Sequence, residues 1–366
     1  MSQLKIGIEE EYMLVDPKTL GLSNHTEQFL SAADARHTDN MKAEFHTAVV
    51  EIVTDPCADV AEAKEQLTRH RRAVIELAEE HGLGLAAAGT HPTTHWKDVK
   101  ISGGERYAKI LYNLQDIARA NLIYGMHCHV EILDPEARIQ VMNAARYFLP
   151  HLLALSGSSP FWQGKPTGHM STRSHIFKRF PRTGIPDYFN NDDEFRRYVD
   201  LLVTTGCIDN AKMIYWDIRP HPFFPTVEFR ICDTPTKVEE TLAIVSLLQA
   251  IVHKLLMLYE ANLGYRLYRR ALINENVYRA ARYGLEGKLI DFQKKKEIPT
   301  VDVIRDLLAF LADDMRQLGT LHYVEVIEDM LVNGNSAQRQ LARFKETNDP
   351  KDVIRLILEE TKVGVI

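Results

Sequence analysis

Three short segments of this chain alternate apolar and ionisable residues at every second position, and few folds can accommodate that pattern. The segments cover residues 4–14, 124–133 and 226–232. Successive side chains of a β-strand point to opposite faces of the sheet, so each segment is predicted to be a strand with two unlike faces. The apolar face must be the buried one. The other faces, which carry acids, histidines and an arginine, are therefore expected to line a common cleft.

Glu9 and Glu11 lie two positions apart on the first of these strands. Their carboxylates should leave the same face about 6 to 7 Å apart, given a rise of about 3.3 Å per residue. Two carboxylates so placed repel each other unless a divalent cation lies near both, and ligation by oxygen suits Mg²⁺ or Mn²⁺. The alternative interpretation is an acidic edge strand that faces solvent.

The second and third strands carry further candidate ligands. His127, His129 and Glu131 share one face of the second strand, which suits a cation or a phosphate group, although paired surface histidines would look the same. Glu228 and Arg230 share a face of the third strand. They could combine a metal ligand with a planar donor for carboxylate or phosphate, or they could simply form an ion pair.

The stretch of residues 43–54 is predicted to be a further extended segment that contains Glu44 and Glu51. Their spacing of seven residues puts them on opposite faces of a regular strand, so both can face the cleft only if a bulge or a turn intervenes. Glu51 has apolar neighbours on both sides, which favours a buried and liganded carboxylate. Phosphate or carboxylate contacts are further predicted for four arginines, although helix arginines often form surface ion pairs: Arg173, Arg219, Arg279 and Arg282.

Composition limits the classes of partner. The 366 residues include 44 basic and 50 acidic side chains, and the formal net charge of -6 provides no general attraction to nucleic acid or to an anionic membrane. Four cysteines occur singly, and no continuous apolar stretch of about 18 residues is visible, so we expect a cytoplasmic protein without a membrane span. We expect one domain over residues 1–366, with a helical portion from about residue 265 to the end. P-loop and GxGxxG motifs are missing from the sequence.

Five motifs occur together in a fixed order: Gly-Ile-Glu-Glu-Glu-Tyr, Gly-Met-His-Cys-His-Val, Tyr-Trp-Asp-Ile-Arg-Pro, Thr-Val-Glu-Phe-Arg-Ile-Cys-Asp-Thr-Pro and Ala-Ala-Arg-Tyr-Gly-Leu-Glu-Gly. In this combination the chain resembles the type 2 glutamate–cysteine ligases, which are also called carboxylate–amine ligases. The resemblance implies an α+β fold of the glutamine synthetase catalytic-domain type. That fold has a curved, mostly antiparallel sheet with helices on its convex face, here followed by a helical C-terminal region.

The resemblance also implies an activity: ATP converts a glutamate-like carboxylate into an acyl phosphate, and a cysteine-like amine attacks it to form an amide. It implies Mg²⁺ or Mn²⁺ as cofactor and makes a homodimer an expectation. A phosphotransferase like the guanidino kinases, or a nucleotide-binding protein without catalysis, are the alternatives. Glu131 departs from the family pattern, in which a small residue is commoner, and this leaves the charge of the pocket open.

Residue roles follow from the resemblance position by position. The implied metal ligands are Glu9, Glu11, Glu51, His127 and Glu228, with Glu44 as a further candidate. His129 is implied to contact nucleotide or phosphate, and Arg173 to contact phosphate or carboxylate; Arg279 and Arg282 are predicted to bind the nucleotide from their residue type and their position on a later helix. Arg230 is implied to bind the substrate carboxylate, and Arg219 and Arg173 to contact phosphate or carboxylate during catalysis.

Overall fold

The structure is a computed structural model that describes residues 4–24, 29 and 40–366. Its strands are β1 (Ile6–Val15), β2 (Met41–Ala43), β3 (Val49–Val53), β4 (Gly84–Ala86), β5 (Met126–Glu131), β6 (Phe161–Trp162), β7 (Lys165–Pro166), β8 (Thr183–Gly184), β9 (Tyr215–Trp216), β10 (Ile218–Pro220), β11 (Thr226–Phe229), β12 (Lys288–Asp291) and β13 (Lys296–Pro299).

The described α-helices follow the same chain order. They are α1 (Val60–Glu80), α2 (Glu105–Leu114), α3 (Asp116–Arg119), α4 (Pro135–Ala145), α5 (Leu149–Ser156), α6 (Thr172–Phe177), α7 (Asp192–Thr204), α8 (Val238–Glu260), α9 (Arg270–Tyr283), α10 (Thr300–Gln317), α11 (Tyr323–Asn333), α12 (Ser336–Thr347) and α13 (Pro350–Lys362).

One antiparallel sheet carries all three strands with alternating residues. Its strands are ordered β10-β11-β5-β1-β3-β2, and β4 pairs with the end of β1. Residues 43–54 do not form the single extended segment expected from the sequence. They fold as the hairpin of β2 and β3, with a turn between them. The turn allows Glu44 and Glu51 to approach the same face, as the spacing argument requires.

Helices cover one face of this sheet. The apolar side chains of β1, including Ile6, Ile8 and Tyr12, are fully buried on that face. Helices α1, α4 and α8 pack against the strands there and against one another. Burial of this apolar face stabilises the sheet and leaves the ionisable side chains on the opposite face.

Helix α8 is long and apolar enough to cross a membrane by length and composition alone, although charged residues interrupt its apolar run. Within the fold, 83% of its most apolar window is buried. It contacts α1, α4, α10 and α11. An all-round apolar helix in this position is the centre of a large core.

Residues after 265 are largely helical, as expected, but they also contain the hairpin of β12 and β13. The hairpin lies beside α9 and α10. Apolar residues from Leu4 to Val365 share one continuous core. The C-terminal helices therefore pack onto the sheet layer and complete its core.

A buried ion pair fixes the position of β1. Glu10 faces the helix side, where two contacts of 2.8 and 2.9 Å join its carboxylate oxygens to Nη2 of Arg71 on α1. Thr241 on α8 donates a further hydrogen bond to Glu10 at 2.6 Å. Both side chains of the ion pair are fully buried. The strand that presents Glu9 and Glu11 is thus anchored from behind to two helices.

Candidate active site

The open face of the sheet brings most of the predicted site residues into one row. Arg219 on β10 lies opposite Glu228 on β11, and Glu228 lies opposite His129 on β5. On the next pair of strands, His127 lies opposite Glu9. Directly opposed residues in an antiparallel pair share a face, so this part of the row follows from the strand register.

The row continues across β1 to β3, where Glu11 lies opposite Glu51. Glu44 follows β2 in the turn and raises the pKa of both carboxyl groups by repulsion. The predicted acidic residues Glu9, Glu11, Glu44 and Glu51 therefore belong to one electrostatic cluster. Glu131, at the end of β5, lies opposite Thr226 at the margin of the row.

Glu228 is the most strongly paired carboxylate of the row. Arg219 donates to it through Nε at 2.7 Å and through Nη2 at 3.3 Å, and Arg230 donates to it through Nη1. Burial alone would favour the neutral acid, but Arg230 and Arg219 outweigh it and hold the pKa of Glu228 well below its usual range. Glu228 is therefore an anion at all physiological pH values.

Glu9 lies between two histidines. Its Oε2 is 2.9 Å from Nδ1 of His127, and its Oε1 is 3.3 Å from Nε2 of His129. Burial opposes ionisation of Glu9, but the two histidines lower its pKa well below the usual value. Burial and the nearby Arg230 lower the pKa of His127 to about 4, so this imidazole is neutral. For His129 burial acts in the same direction, but Glu9 and Glu228 raise the pKa.

The donors around Glu9 fit a divalent cation. Ligand atoms of Glu9, His129 and Glu228 all lie within 4.8 Å of one another. Nδ1 of His129 is 3.1 Å from Oγ1 of Thr226, while its Nε2 is buried and forms no well-aligned hydrogen bond within the described part of the chain. A histidine held through one ring nitrogen, with the other free among carboxylates, is the usual arrangement around a metal ion. His127 lies as close to Glu9 as His129 does, so its predicted role as a ligand stays a prediction.

Glu11 and Glu51, the carboxylates nearer β3, form no salt bridge with any residue that the structure describes. Burial and repulsion from Glu44 raise the pKa of Glu11 to about 7, although Arg173 and Arg230 act against the shift. Burial, Glu9 and Glu44 raise the pKa of Glu51 well above its usual value. Close carboxylates with raised pKa values store repulsion that a bound cation would relieve.

Arg173 reaches the site from α6, beyond the sheet. Its Nη1 and Nη2 donate at 3.2 Å to the backbone carbonyls of Ile231 and Arg230, and it is 3% exposed. A Cβ atom at position 125 would collide with its guanidinium group, so Gly125 leaves the space that Arg173 fills. Nε of Arg173 has no hydrogen-bond partner among the described residues and remains available to an anion.

Asp233, which the sequence reasoning did not select, supports Arg173. This fully buried carboxylate accepts hydrogen bonds from Ser159 Oγ at 2.6 Å and Ser171 Oγ at 2.7 Å. Ser159 Oγ also accepts from the backbone N–H of Arg173 at 3.0 Å. The Asp in the motif Ile-Cys-Asp-Thr-Pro was visible in the sequence, but its serine partners come from a distant irregular segment.

Two cavities flank the row. One, of about 70 Å³, is bounded by ionisable residues that include Glu11, His127, Arg173 and Arg230. The other, of about 250 Å³, lies beyond Glu9 and His129. Its apolar side chains include Val53, Pro56, Phe224 and Pro225, and its other polar residues include Lys42, Glu131 and Thr226.

Two predicted phosphate contacts are not brought to this row. Arg279 on α9 pairs with Glu275 at 3.3 Å and with Glu297 of β13 at 2.6 Å. Arg282 on the same helix donates to the carbonyl of Gly168. Neither arginine contacts a row residue in the described parts of the chain, and the ion pairs match the alternative interpretation for helix arginines.

Known proteins resemble this chain in both sequence and fold. Residues 5–359 match the model of the glutamate-cysteine ligase family 2. A relative from Solibacter usitatus, named "Putative glutamate–cysteine ligase 2", is 49% identical over 363 residues, which cover 99% of this chain and 94% of the relative. A relative of the same name from Chloroflexus aurantiacus is 49% identical over 360 residues, covering 98% of this chain and 92% of the relative.

Two solved structures share the fold. A glutamate–cysteine ligase from Francisella tularensis in complex with AMP has a TM-score of 0.70 at 14% identity and covers 99% of this chain and 90% of that one. A bifunctional glutathione synthetase from Pasteurella multocida has a TM-score of 0.75 at 14% identity, covering 100% of this chain and 53% of that one. The α+β fold class expected from the sequence is confirmed, and a phosphotransferase is not favoured. The chain belongs to the glutamate-cysteine ligase family 2 and is an ATP-dependent carboxylate–amine ligase.

Proposed function

We propose that this ligase joins the side-chain carboxylate of a glutamate-like acid to the amine of a cysteine-like amino acid. The observation that carries the proposal is the continuous row from Arg219 to Glu51 on one sheet face, with a cavity on each side. The names of the relatives and the family match support the same pair of substrates.

The row would hold Mg²⁺ or Mn²⁺. Glu9 and Glu228, with His129 or His127, form one group of donors, and the cluster of Glu11, Glu44 and Glu51 forms a second. Oxygen-rich donor sets suit these hard cations. A divalent cation there would supply positive charge to the phosphate oxygens of ATP and to the carboxylate that must approach them. The raised pKa values of Glu11 and Glu51 support the second group.

The larger, mostly apolar cavity is suited to the base of the nucleotide. Val53, Pro56 and Phe224 offer apolar surface, and His129 and Glu9 lie on the side toward the row. A nucleotide with its base here would extend its phosphates toward Glu228 and Arg219. Arg219 is already paired with Glu228, so it would act on the phosphates while holding that carboxylate in place.

The smaller, charged cavity is suited to the acid substrate. Arg173 and Arg230 would bind its carboxylate groups through planar donors, as predicted for both residues. They would also offset the repulsion between the substrate carboxylate and the γ-phosphoryl group. Fixed donors of this kind hold the two anions in reacting position, which lowers the entropic part of the barrier.

The reaction then proceeds in two substitutions. A carboxylate oxygen attacks the γ-phosphorus of ATP, and the bond from that phosphorus to the bridging oxygen breaks and releases ADP. The amine attacks the carbonyl carbon of the acyl phosphate, the C–O bond breaks, and inorganic phosphate leaves with that oxygen. A carboxylate of the row or a phosphate oxygen takes the amine proton. Arg173 and Arg230 stabilise the negative charge that both steps move.

Two further proposals concern the whole protein. The charge of -6 and the burial of α8 support a cytoplasmic enzyme. A homodimer remains our proposal from the family resemblance, and light scattering of the purified protein would test it.

The test of the function uses purified protein, ATP and Mg²⁺ with a matrix of amino acids. We expect ADP and phosphate in equal amounts only when L-glutamate and an amine such as L-cysteine are both present, with the mass of the amide. A stable phosphorylated product without an amide would refute ligation. Amide formation from another acid would refute the proposed substrate alone.

A further inference from the structure

Asp217 is a buried carboxylate to which the mechanism above gives no role, and it pairs through its backbone with Arg230, which lines the proposed acid cavity. It lies between β9 and β10, and its carbonyl accepts from the backbone N–H of Arg230 at 2.8 Å. Its chain neighbours Trp216 and Ile218 both pack into the main core. The side chain of Asp217 must therefore leave the strand on the side away from that core.

One carboxylate oxygen of Asp217 is buried without a hydrogen-bond partner among the described residues. The residue is 5% exposed, and the unpartnered oxygen is Oδ2. No described cation forms an ion pair with it at 4.0 Å or less, although Lys178, Arg173 and Arg230 are near enough to act on it. Burial raises its pKa against the effect of these cations. An unsatisfied buried acceptor of this kind is costly and calls for an explanation.

Each neighbouring cation has another partner, and none donates a hydrogen bond to Asp217 among the described residues, although Nε of Arg173 and Nε of Arg230 are themselves unpaired there. Arg230 is paired with Glu228. Lys178 donates to Oδ1 of Asn274 at 3.2 Å. Arg173 donates to two carbonyls and lies 4.0 Å from Asp233. The described residues thus leave an unpaired carboxylate oxygen close to two unpaired guanidinium nitrogens, and a ligand that carries both a cationic and an anionic group would satisfy all three.

A pair of opposite charges identifies that ligand. Arg230 is the backbone partner of Asp217 across the strands, and Arg230 and Arg173 line the acid cavity. An α-amino acid carries an ammonium and a carboxylate on one carbon, so it matches an acidic side chain next to arginines. We propose that Asp217 binds the α-ammonium group of the acid substrate and so selects an α-amino acid over a simple dicarboxylic acid. This inference rests on the proposed function, since it assumes that the acid binds near Arg230.

The inference predicts selectivity between L-glutamate and glutarate, which has the same carbon chain and both carboxylates but no ammonium group. In the variant Asp217→Asn we expect KM for L-glutamate to rise about 10- to 100-fold, the loss typical of one hydrogen-bonded charge pair. The Ki of glutarate as a competitive inhibitor and KM for ATP should stay within about 2-fold, since neither ligand has the group that Asp217 binds.

Asp314→Asn is the matched control. Asp314 is also buried, but it pairs with His253 and Lys254 in the helical core, outside the row. We expect Asp314→Asn to lower thermal stability and to leave the ratio of KM for L-glutamate to Ki of glutarate unchanged. Should Asp217→Asn fold poorly, Asp217→Ala provides the same readout, because the ratio of KM to Ki does not depend on the folded fraction.

Two outcomes would separate the claims. If KM for L-glutamate and Ki of glutarate changed by the same factor in Asp217→Asn, the role of Asp217 would be refuted and the proposed function would stand. If the wild-type protein does not ligate L-glutamate, the proposed substrate is wrong. In that case the same comparison uses the acid identified by product mass and its deamino analogue. If KM for that acid and Ki of its analogue changed by the same factor in Asp217→Asn, the inference would again be refuted.

Discussion

Replacing Glu11 by glutamine should stabilise the protein when no divalent cation is present. Burial and Glu44 raise the pKa of Glu11 from 4.5 to about 7. A carboxyl group whose pKa is raised on folding favours the native state below its unfolded pKa, and this contribution is lost as the pH rises through 7. At pH 8 the ionised group therefore opposes folding, and a neutral glutamine of the same shape removes that penalty.

The size of the effect follows from the shift. A rise of the pKa of Glu11 from 4.5 to about 7 on folding corresponds to about 3 kcal/mol. The backbone N–H of Gly125 donates to Glu11 at 2.6 Å, and weakening this bond would cost about 1 kcal/mol. The net gain is then about 2 kcal/mol. For 366 residues the unfolding entropy is about 0.8 kcal/mol per kelvin, so Tm should rise by about 3 °C.

Thermal unfolding at pH 8 in EDTA, followed by titration with MgCl₂, measures this directly. The wild-type protein should gain stability with Mg²⁺, because a ligand that binds only the native state raises Tm, and Glu11→Gln should gain less. The neighbouring Glu10→Gln is the control. It leaves Arg71 buried without its charged partner and should lower stability by about 3 to 5 kcal/mol with or without Mg²⁺.

The reasoning would be refuted if Glu11→Gln lowered Tm in EDTA as Glu10→Gln does. A fall would mean that Glu11 is satisfied without a cation and that the acidic row is a structural feature. The advantage of Glu11→Gln should also shrink between pH 7 and pH 5, where the wild-type carboxyl group takes up its proton.

Three further predictions follow from other parts of the structure. Glu228→Gln should lower Tm by several degrees and weaken Mg²⁺-dependent ATP binding at least 10-fold, measured by calorimetry, since both arginines lose their anionic partner; unchanged binding would rule out the proposed metal group. Burial lowers the pKa of His91 to about 3, so its stabilising contribution is present above pH 6.5 and is lost as the pH falls from 6.5 toward 3. In that pH range His91→Asn should reduce the slope of the unfolding free energy against pH by about 1.4 kcal/mol per pH unit. An unchanged slope would contradict this prediction. Arg279→Ala should leave KM for ATP unchanged, since Arg279 is paired on the surface with two glutamates; a large rise would restore the phosphate role predicted from the sequence.

The strand faces could be predicted because the alternation is strict. Glu9 and Glu11, and likewise His127 and His129, share faces because their spacing of two matches the period of a strand. The register that puts Glu9 opposite His127 could not be derived, since it depends on which strands pair. The sequence also allowed both surface and site roles for Arg279, and its ion pairs with Glu275 on the same helix and with Glu297 of the hairpin favour the surface role.

The residues that were missed act through contacts distant in sequence. Asp233 is held by serines more than 60 positions away, and Asp217 is notable only because its neighbours leave its carboxylate unpartnered. A single aspartate in a motif carries no such information. The hairpin of β2 and β3 was read as one extended segment because its turn contains no Gly or Pro to mark it.

Transfer of oxygen from the acid to phosphate tests the central claim most directly. L-Glutamate labelled with oxygen-18 in its side-chain carboxylate is incubated with the enzyme, ATP, Mg²⁺ and L-cysteine, and the released phosphate is analysed by mass spectrometry. An acyl phosphate intermediate predicts one labelled oxygen in each phosphate formed with the amide. Unlabelled phosphate, released at the same rate as the amide, would contradict activation of the carboxylate by ATP.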